Sequence, residues 1–203
     1  MKKIMFNDKY GLTQAVLDGR KTMTRRIAYT KDVRFLNLGW DVKTHQRVIC
    51  DGELVVARSQ YKIDEVVAIG QSYKDIYLNS GSIYKIGILG RTAGWRNKMF
   101  VCADDMPHHI KITNIRVERL QDISDEDCLK EGIYFDREGG CELGYPFSIP
   151  FYFTFRGAVN NNGEQLHWSF SRDAFATLID KVSGKGTWDS NPLVWVYEFE
   201  LVD

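Results

Sequence analysis

One short segment, residues 19–26, carries most of the side chains in this chain that could do chemistry. It reads Gly-Arg-Lys-Thr-Met-Thr-Arg-Arg, so one lysine, two threonine hydroxyls and three guanidinium groups lie within eight residues. Such a cluster can bind phosphate, or it can lower the lysine pKa through like-charge repulsion and so supply a neutral amine near neutral pH. A solvated basic loop is the alternative interpretation. A glycine-rich phosphate loop is excluded, because no second glycine precedes the lysine at the required spacing.

The backbone of this segment decides which of its side chains can act together. In an extended strand alternate residues face the same side, so Lys21 and Arg25 share one face while Thr24 and Arg26 share the other. Lys21 and Thr24 therefore reach the same pocket only if the chain bends between them.

The charge of the chain is balanced overall but uneven along its length. The 203 residues include 27 basic and 27 acidic side chains. Residues 20–34 hold six basic groups against one acid, and residues 122–142 hold eight acids against two basic groups. Blocks of opposite charge either face each other in the fold or face different partners. Zero net charge counts against long RNA as a partner and favours a small ligand in a pocket lined by both blocks.

The composition indicates one globular domain. Hydrophobic residues make up 44% and charged residues 27% of the chain, which excludes wholesale disorder. No run of about 18 apolar residues is present to span a membrane, and the first residues lack the pattern of a signal peptide. The four cysteines are scattered without a CxxC pair, and the adjacent His108 and His109 have no third ligand nearby. We therefore expect reduced thiols, no metal ion and a cytoplasmic protein.

The hydrophobic pattern predicts strands with a few helices between them. A first helix ends at Gly19, and a second begins after the N-cap Ser124 and ends at Gly132. A strand runs over 109–120, and its alternation slips at 113–114, which indicates a β-bulge. Further strands are predicted at 4–6, 65–70, 145–156 (one or two strands) and 193–202. A third helix is expected to begin after the N-cap Ser171, with Phe175, Leu178, Ile179 and Val182 on one face, and the segment 28–62 is expected to form an elaborated loop or an irregular hairpin around residues 46–56.

Because helices do not follow every strand, this order of elements indicates an α+β fold on a small bent sheet or barrel.

The chain also resembles the ASCH domain family, in particular its longer members, which are encoded by phages and prophages. The resemblance rests on Gly-x-Lys after a short N-terminal helix with an arginine seven residues beyond the glycine, on segment 110–124 and on the ending 191–199. It implies a PUA-like bent β-barrel of about five to seven mostly antiparallel strands with about three flanking helices. The implied organisation is a single domain over 1–203 with insertions at about 28–60 and 134–165.

The resemblance also implies an active site. The bacterial N4-acetylcytidine amidohydrolase, a smaller ASCH relative, has a lysine, a threonine three residues later and a distant glutamate on the helix after the central strand. These correspond here to Lys21, Thr24 and Glu131, the last placed by an ungapped count from the strand end at Leu120. We expect Glu131 and Lys21 to share a proton, one activating Thr24 or a water and the other protonating the leaving amine. The expected ligand-binding residues are Gly19, Arg20, Arg25 and Arg26, with no cofactor.

Three functions stay open at this point. The first is a hydrolase of a small acylated nucleoside, with Arg26 orienting the ligand. The second is a non-catalytic nucleic-acid-binding module of phage origin. In that module the basic groups of 19–26 contact phosphates of single-stranded RNA and a ring such as Trp95 or Trp168 stacks on a base, although core packing is the other use of these rings. The third is an accessory protein with a vestigial pocket.

Overall fold

The computed structural model describes residues 1–30, 36–80, 92–137, 151–154 and 166–202. These residues form an α+β structure, as predicted, with ten strands in three sheets and five α-helices. The strands are β1 (Lys3–Ile4), β2 (Met23–Ile27), β3 (Leu36–Asp41), β4 (Gln46–Asp51), β5 (Leu54–Arg58), β6 (Val66–Ile69), β7 (His109–Arg119), β8 (Tyr134–Asp136), β9 (Phe151–Phe153) and β10 (Leu193–Leu201). The helices are α1 (Leu12–Leu17), α2 (Tyr73–Ser80), α3 (Asp125–Lys130), α4 (Ser171–Ser183) and α5 (Thr187–Ser190).

The largest sheet has the strand order β1-β6-β7-β10-β2. β1 lies parallel to β6, and the other three pairs are antiparallel. Between β2 and β10, Thr24 lies opposite Tyr197 and Arg26 lies opposite Trp195. Within the described ranges β1 and β2 do not pair with each other, so the sheet is not closed into a barrel there. β2 is therefore an edge strand, and the candidate site lies around it.

A β-bulge interrupts the long pairing of β7 with β10. Glu198 lies opposite Asn114 and Phe199 lies opposite Ile112, which leaves Thr113 as the extra residue. The bulge predicted from the slipped alternation at 113–114 is thus confirmed. Because a bulge bends its strand and increases the local twist, it curves the sheet at this point.

The irregular hairpin predicted around residues 46–56 is confirmed, because β4 and β5 pair antiparallel with a shifted register. The prediction missed β3, which adds a third antiparallel strand. The turn between β4 and β5 uses Gly52 at φ +63°. The pairing of β4 with β5 shifts register between Ile49 and Cys50, and the consecutive residues Val48 and Ile49 are both buried. This shift disrupts the two-residue alternation by which a strand is recognised in a sequence.

Helices α1, α3 and α4 contribute to one hydrophobic core with the large sheet. On α4 the predicted apolar face is buried at Phe175, Leu178 and Ile179, each worth roughly 1.5–3 kcal/mol when fully removed from water. The predicted cap of this helix was wrong: Phe170 is the N-cap residue and Ser171 is the first helical residue. The Ser171 hydroxyl instead donates to Asp125, which ties the start of α4 to α3 because a buried hydroxyl needs a partner.

The predicted insertion over 134–165 falls mostly outside the described residues. Its described strands, β8 and β9, form a separate antiparallel pair. Of the strand or strands predicted over 145–156, only Phe151–Phe153 lies in a described strand. In the described ranges we find no helix with the length and apolar character needed to cross a bilayer.

Candidate active site

Lys21 lies in the connection between α1 and β2, and backbone hydrogen bonds place it there. Gly19, at φ +71°, follows α1 in a left-handed conformation that suits glycine. The Lys21 N–H donates to Ala15 O at 2.8 Å, and the Thr22 N–H donates to Lys130 O at 2.9 Å. Since β2 begins only after these residues, the alternation of an ideal strand does not dictate the direction of Lys21.

Helix α3 brings the carboxylate of Glu131 to the same place. The Ser124 side chain accepts from the Asp127 N–H at the start of α3, and Glu131 is the C-cap residue. Gly132 follows at φ +98°, which ends the helix as predicted. Glu131 therefore directly follows Lys130, whose backbone oxygen accepts the Thr22 N–H and so joins the end of α3 to the segment that carries Lys21.

Lys21 and Glu131 form a buried ion pair. Lys21 Nζ lies 2.6 Å from Glu131 Oε2 and 2.7 Å from the Glu131 backbone oxygen. Their side chains are only 2% and 6% exposed. Burial lowers the pKa of the Lys21 ammonium from its ordinary value of 10.5, Glu131 opposes that shift, and the positive charges of Arg26 and Arg25 add to it. Lys21 therefore loses its proton to form the neutral amine at a lower pH than a solvated lysine does.

Arg25 holds the second oxygen of Glu131. Its Nη1 donates to Glu131 Oε1 at 3.1 Å, while its Nη2 lies 2.5 Å from Glu118 Oε1 and 2.9 Å from Asp127 Oδ2. The guanidinium has no exposed surface. Burial acts to lower the Arg25 pKa, but Glu131 and Glu118 outweigh it and raise that pKa above its ordinary value. The Arg25 donors are thus engaged by carboxylates. This geometry suits Arg25 to orienting Glu131 and does not suit it to the expected contact with a ligand.

The predicted basic and acidic blocks therefore face each other, at Lys21 with Glu131 and at Arg25 with Asp127. A second arginine extends the network, because Arg116 pairs with Asp127 as well. The site residues expected from the sequence included Glu131 but not Glu118 and Asp127, the other two carboxylates that hold Arg25. The four-residue spacing of Asp127 and Glu131 on one helix could have signalled a shared face, whereas Glu118 in β7 had no such signal.

Thr24 lines the same cavity as the ion pair. Because strand residues alternate, Thr24 lies on the face of β2 opposite to Arg25. Both nevertheless line one cavity of about 760 Å³, together with Lys21, Arg26 and Glu131. Thr24 is 5% exposed. Lys21 precedes β2 and Thr24 lies within it, so strand alternation does not force the two side chains onto opposite faces.

The remaining expected ligand-binding residues have different positions. Gly19 and Arg20 do not line the cavity, and Arg20 forms a surface pair with Asp18 at 3.2 Å. Arg26 does line it and donates from Nη2 to Met5 O at 2.6 Å. The expected role of Arg26 is thus compatible with its place, while the places of Gly19 and Arg20 do not suit theirs.

Tyr197 is a cavity residue that the sequence analysis did not single out. It lies opposite Thr24 and accepts a hydrogen bond from the Gln60 N–H at 2.9 Å. Burial raises the pKa of its phenol to about 12. The tryptophans considered for base stacking, Trp95 and Trp168, do not line this cavity.

Within the described residues no group of three or more His, Cys, Asp or Glu side chains is arranged to hold a metal ion. No protein-family model, curated protein or solved structure matches the chain.

Proposed function

We propose that this chain hydrolyses the amide bond of a small acylated nucleoside such as N4-acetylcytidine. The observation that supports this proposal is the buried contact of 2.6 Å between Lys21 Nζ and Glu131 Oε2, beside a cavity that Thr24 also lines. An amine, a carboxylate and a hydroxyl from separate elements are the groups that general acid–base and nucleophilic amide cleavage need.

In the proposed reaction Lys21 takes up and returns the proton, while Glu131 orients its amine. A neutral Lys21 keeps its two N–H groups on the two Glu131 oxygens it already contacts, which leaves its lone pair for a proton from Thr24 or a water. The deprotonated oxygen attacks the acyl carbon, and the charge that develops on the carbonyl oxygen is stabilised by the resulting ammonium. The proton then passes to the leaving amine as the C–N bond breaks. If Thr24 is the nucleophile, a water subsequently cleaves the acyl-threonine ester.

Arg25 has a supporting role in this proposal. By binding Glu131 Oε1 it leaves Oε2 directed at Lys21. The two carboxylates behind Arg25, Glu118 and Asp127, hold the guanidinium in turn. Charge-assisted hydrogen bonds of this kind fix geometry as well as contributing energy.

We also propose that the large sheet is the bent sheet of a PUA-like ASCH domain. Three features support this finer assignment: five mostly antiparallel strands, the bulge at Thr113, and helices α1, α3 and α4 beside the sheet. The proximity of Lys21 to Glu131 supports it independently, because the resemblance predicts that these two residues share one site.

The positions of the basic residues favour a small ligand over RNA. Lys21 and Arg25 are buried with carboxylates, and Arg20 is paired with Asp18. Of the four basic groups expected to contact phosphates, only Arg26 has no carboxylate partner among the described residues. A row of phosphate contacts along this segment is therefore not favoured.

Substitution of Thr24 tests the proposal against a matched neighbour. We expect Thr24→Ala to lower kcat for release of cytidine from N4-acetylcytidine by about 10²-fold or more, as for loss of a catalytic group. Thr22→Ala removes a nearby threonine that does not line the cavity and should leave kcat unchanged. Chromatographic measurement of cytidine and acetate checks both. Equal activity of the two variants would contradict a role for Thr24.

A further inference from the structure

Arg26 differs from the other cations that line the cavity. Lys21 pairs with Glu131, Arg25 pairs with Glu118 and two other carboxylates, and Arg58 pairs with Asp41 at 3.2 Å. None of the ion pairs among the described residues involves Arg26; its Nη2 donates to the Met5 carbonyl oxygen, and its guanidinium lies 5.9 Å from the centre of the Phe6 ring. The charge of Arg26 is thus not neutralised by any carboxylate in the described part of the chain.

Arg26 is the next residue after Thr24 on the same face of β2. The two residues lie about 7 Å apart along the strand. Arg26 lines the same cavity as Tyr197, and its positive charge opposes the rise that burial and the charge of Glu65 cause in the pKa of that phenol. A group bound by Arg26 would therefore lie beside the hydroxyl proposed to act on the acyl group.

The Tyr197 hydroxyl, which lines the same cavity as Arg26, can donate a hydrogen bond. The Tyr197 oxygen already accepts the Gln60 N–H, and no described residue accepts the Tyr197 hydroxyl proton. Glu131 is the one acidic residue among the described residues that line the cavity, and both its oxygens are bound by Lys21 and Arg25. A guanidinium with no carboxylate partner, beside a hydroxyl whose proton has no described acceptor, suits an anionic oxygen group.

We propose that Arg26 forms an anion subsite and that the substrate of the hydrolase is an acylated nucleotide bearing a phosphate, not the neutral nucleoside. This inference rests on the proposed function for the identity of the acylated base. The guanidinium of Arg26 and the Tyr197 hydroxyl bind the phosphate oxygens, while Thr24, Lys21 and Glu131 act on the amide. The phosphate adds binding energy at a distance from the bond that is broken, so it lowers KM or raises kcat/KM without entering the chemical step.

The test compares N4-acetylcytidine with its 5′-monophosphate. For the unaltered protein we expect kcat/KM to be roughly 10- to 100-fold higher with the monophosphate, the effect of a hydrogen bond between charged groups. Arg26→Gln should abolish that preference, so that the ratio of the two kcat/KM values falls to about 1, and Arg26→Lys should restore part of it. Arg119→Gln is the matched control: Arg119 is also a strand arginine with a single hydrogen bond to a carbonyl, but it lies outside the cavity and should keep the preference.

The outcomes separate this inference from the proposed function. Equal kcat/KM for the two substrates, or a preference that survives in Arg26→Gln, overturns the subsite and leaves the hydrolase intact. A strong preference for an acetylated RNA oligonucleotide over the mononucleotide overturns the assignment of a nucleotide substrate. If neither substrate is cleaved, calorimetry decides: cytidine 5′-monophosphate binding tighter than cytidine, with the difference lost in Arg26→Gln but not in Arg119→Gln, supports the subsite while the hydrolase fails. Thermal unfolding of each variant verifies that it is folded.

Discussion

The Lys21 amine has two of its hydrogen-bond positions occupied by the same residue. Nζ contacts both the carboxylate and the backbone oxygen of Glu131, so a rotation of the Glu131 side chain alone does not release it. Such a fixed amine suits proton transfer because the donor and acceptor need no rearrangement before the reaction.

The pH dependence of activity follows from the burial of Lys21. The proposed mechanism needs the neutral amine, and burial lowers the Lys21 pKa below 10.5, so kcat/KM should rise with pH along a limb whose midpoint lies below 10.5. Rates of N4-acetylcytidine cleavage measured from neutral pH upward check this. A limb centred at or above 10.5, or activity that falls as pH rises through this range, would contradict a neutral Lys21 as the base.

Removal of Arg25 should be costly for stability. In Arg25→Met the carboxylates of Glu131, Asp127 and Glu118 lose a shared buried partner, so we expect the free energy of unfolding to fall by about 3–5 kcal/mol. Arg58→Met provides the comparison, because Arg58 is half exposed and its single ion pair is solvated, and it should change stability little. Urea unfolding of the two variants measures both. Similar losses of unfolding free energy in the two variants would show that the buried network contributes no more to stability than a surface ion pair does.

At the scale of the elements, the ends of α1 and α3 could be predicted because their signals are local. Gly19 and Gly132 adopt positive φ values, and Ser124 caps α3 through its own side chain. The bulge in β7 could also be read, since one extra residue shifts the alternation. What sequence reasoning missed depends on contacts across the fold: β3, which forms by pairing with β4, and Ser171, whose hydroxyl bonds to a distant aspartate.

The turn after α3 offers a test of how this element positions the site. Gly132→Ala forces a side chain into a positive φ, and its Cβ would meet Lys21 Cβ at 3.5 Å, an ordinary contact. We expect roughly 1–2 kcal/mol of destabilisation from the backbone and a fall in kcat as the C-cap residue Glu131 shifts. Gly52→Ala is matched, because its φ is also positive and its Cβ would meet nothing within 4 Å.

Both glycine variants should lose stability to a similar extent in urea unfolding, but only Gly132→Ala should lose activity toward N4-acetylcytidine. Loss of activity in Gly52→Ala to the same degree would show that activity responds to stability in general and not to the position of Glu131.

At the scale of the whole molecule, the net charge is zero, and the fold brings the basic and acidic segments of the chain together. The acidic helix α3 packs against the start of β2, and Lys21 and Arg25 receive their carboxylates from it. The sequence indicated the two blocks and, through the resemblance, the pair of Lys21 with Glu131. It did not indicate that Arg25 would be enclosed, because three carboxylates from β7 and α3 converge on it only in the folded sheet.

The most direct test of the account is the release of cytidine from N4-acetylcytidine by the unaltered protein, by Glu131→Gln and by Glu126→Gln. Glu126 lies on the same helix but is exposed, so its substitution keeps the charge change and leaves the ion pair intact. We predict cleavage by the unaltered protein and by Glu126→Gln, and a loss of about 10²–10⁴-fold in Glu131→Gln. Absence of cytidine release at high concentrations of the unaltered protein, or full activity in Glu131→Gln, would contradict the account.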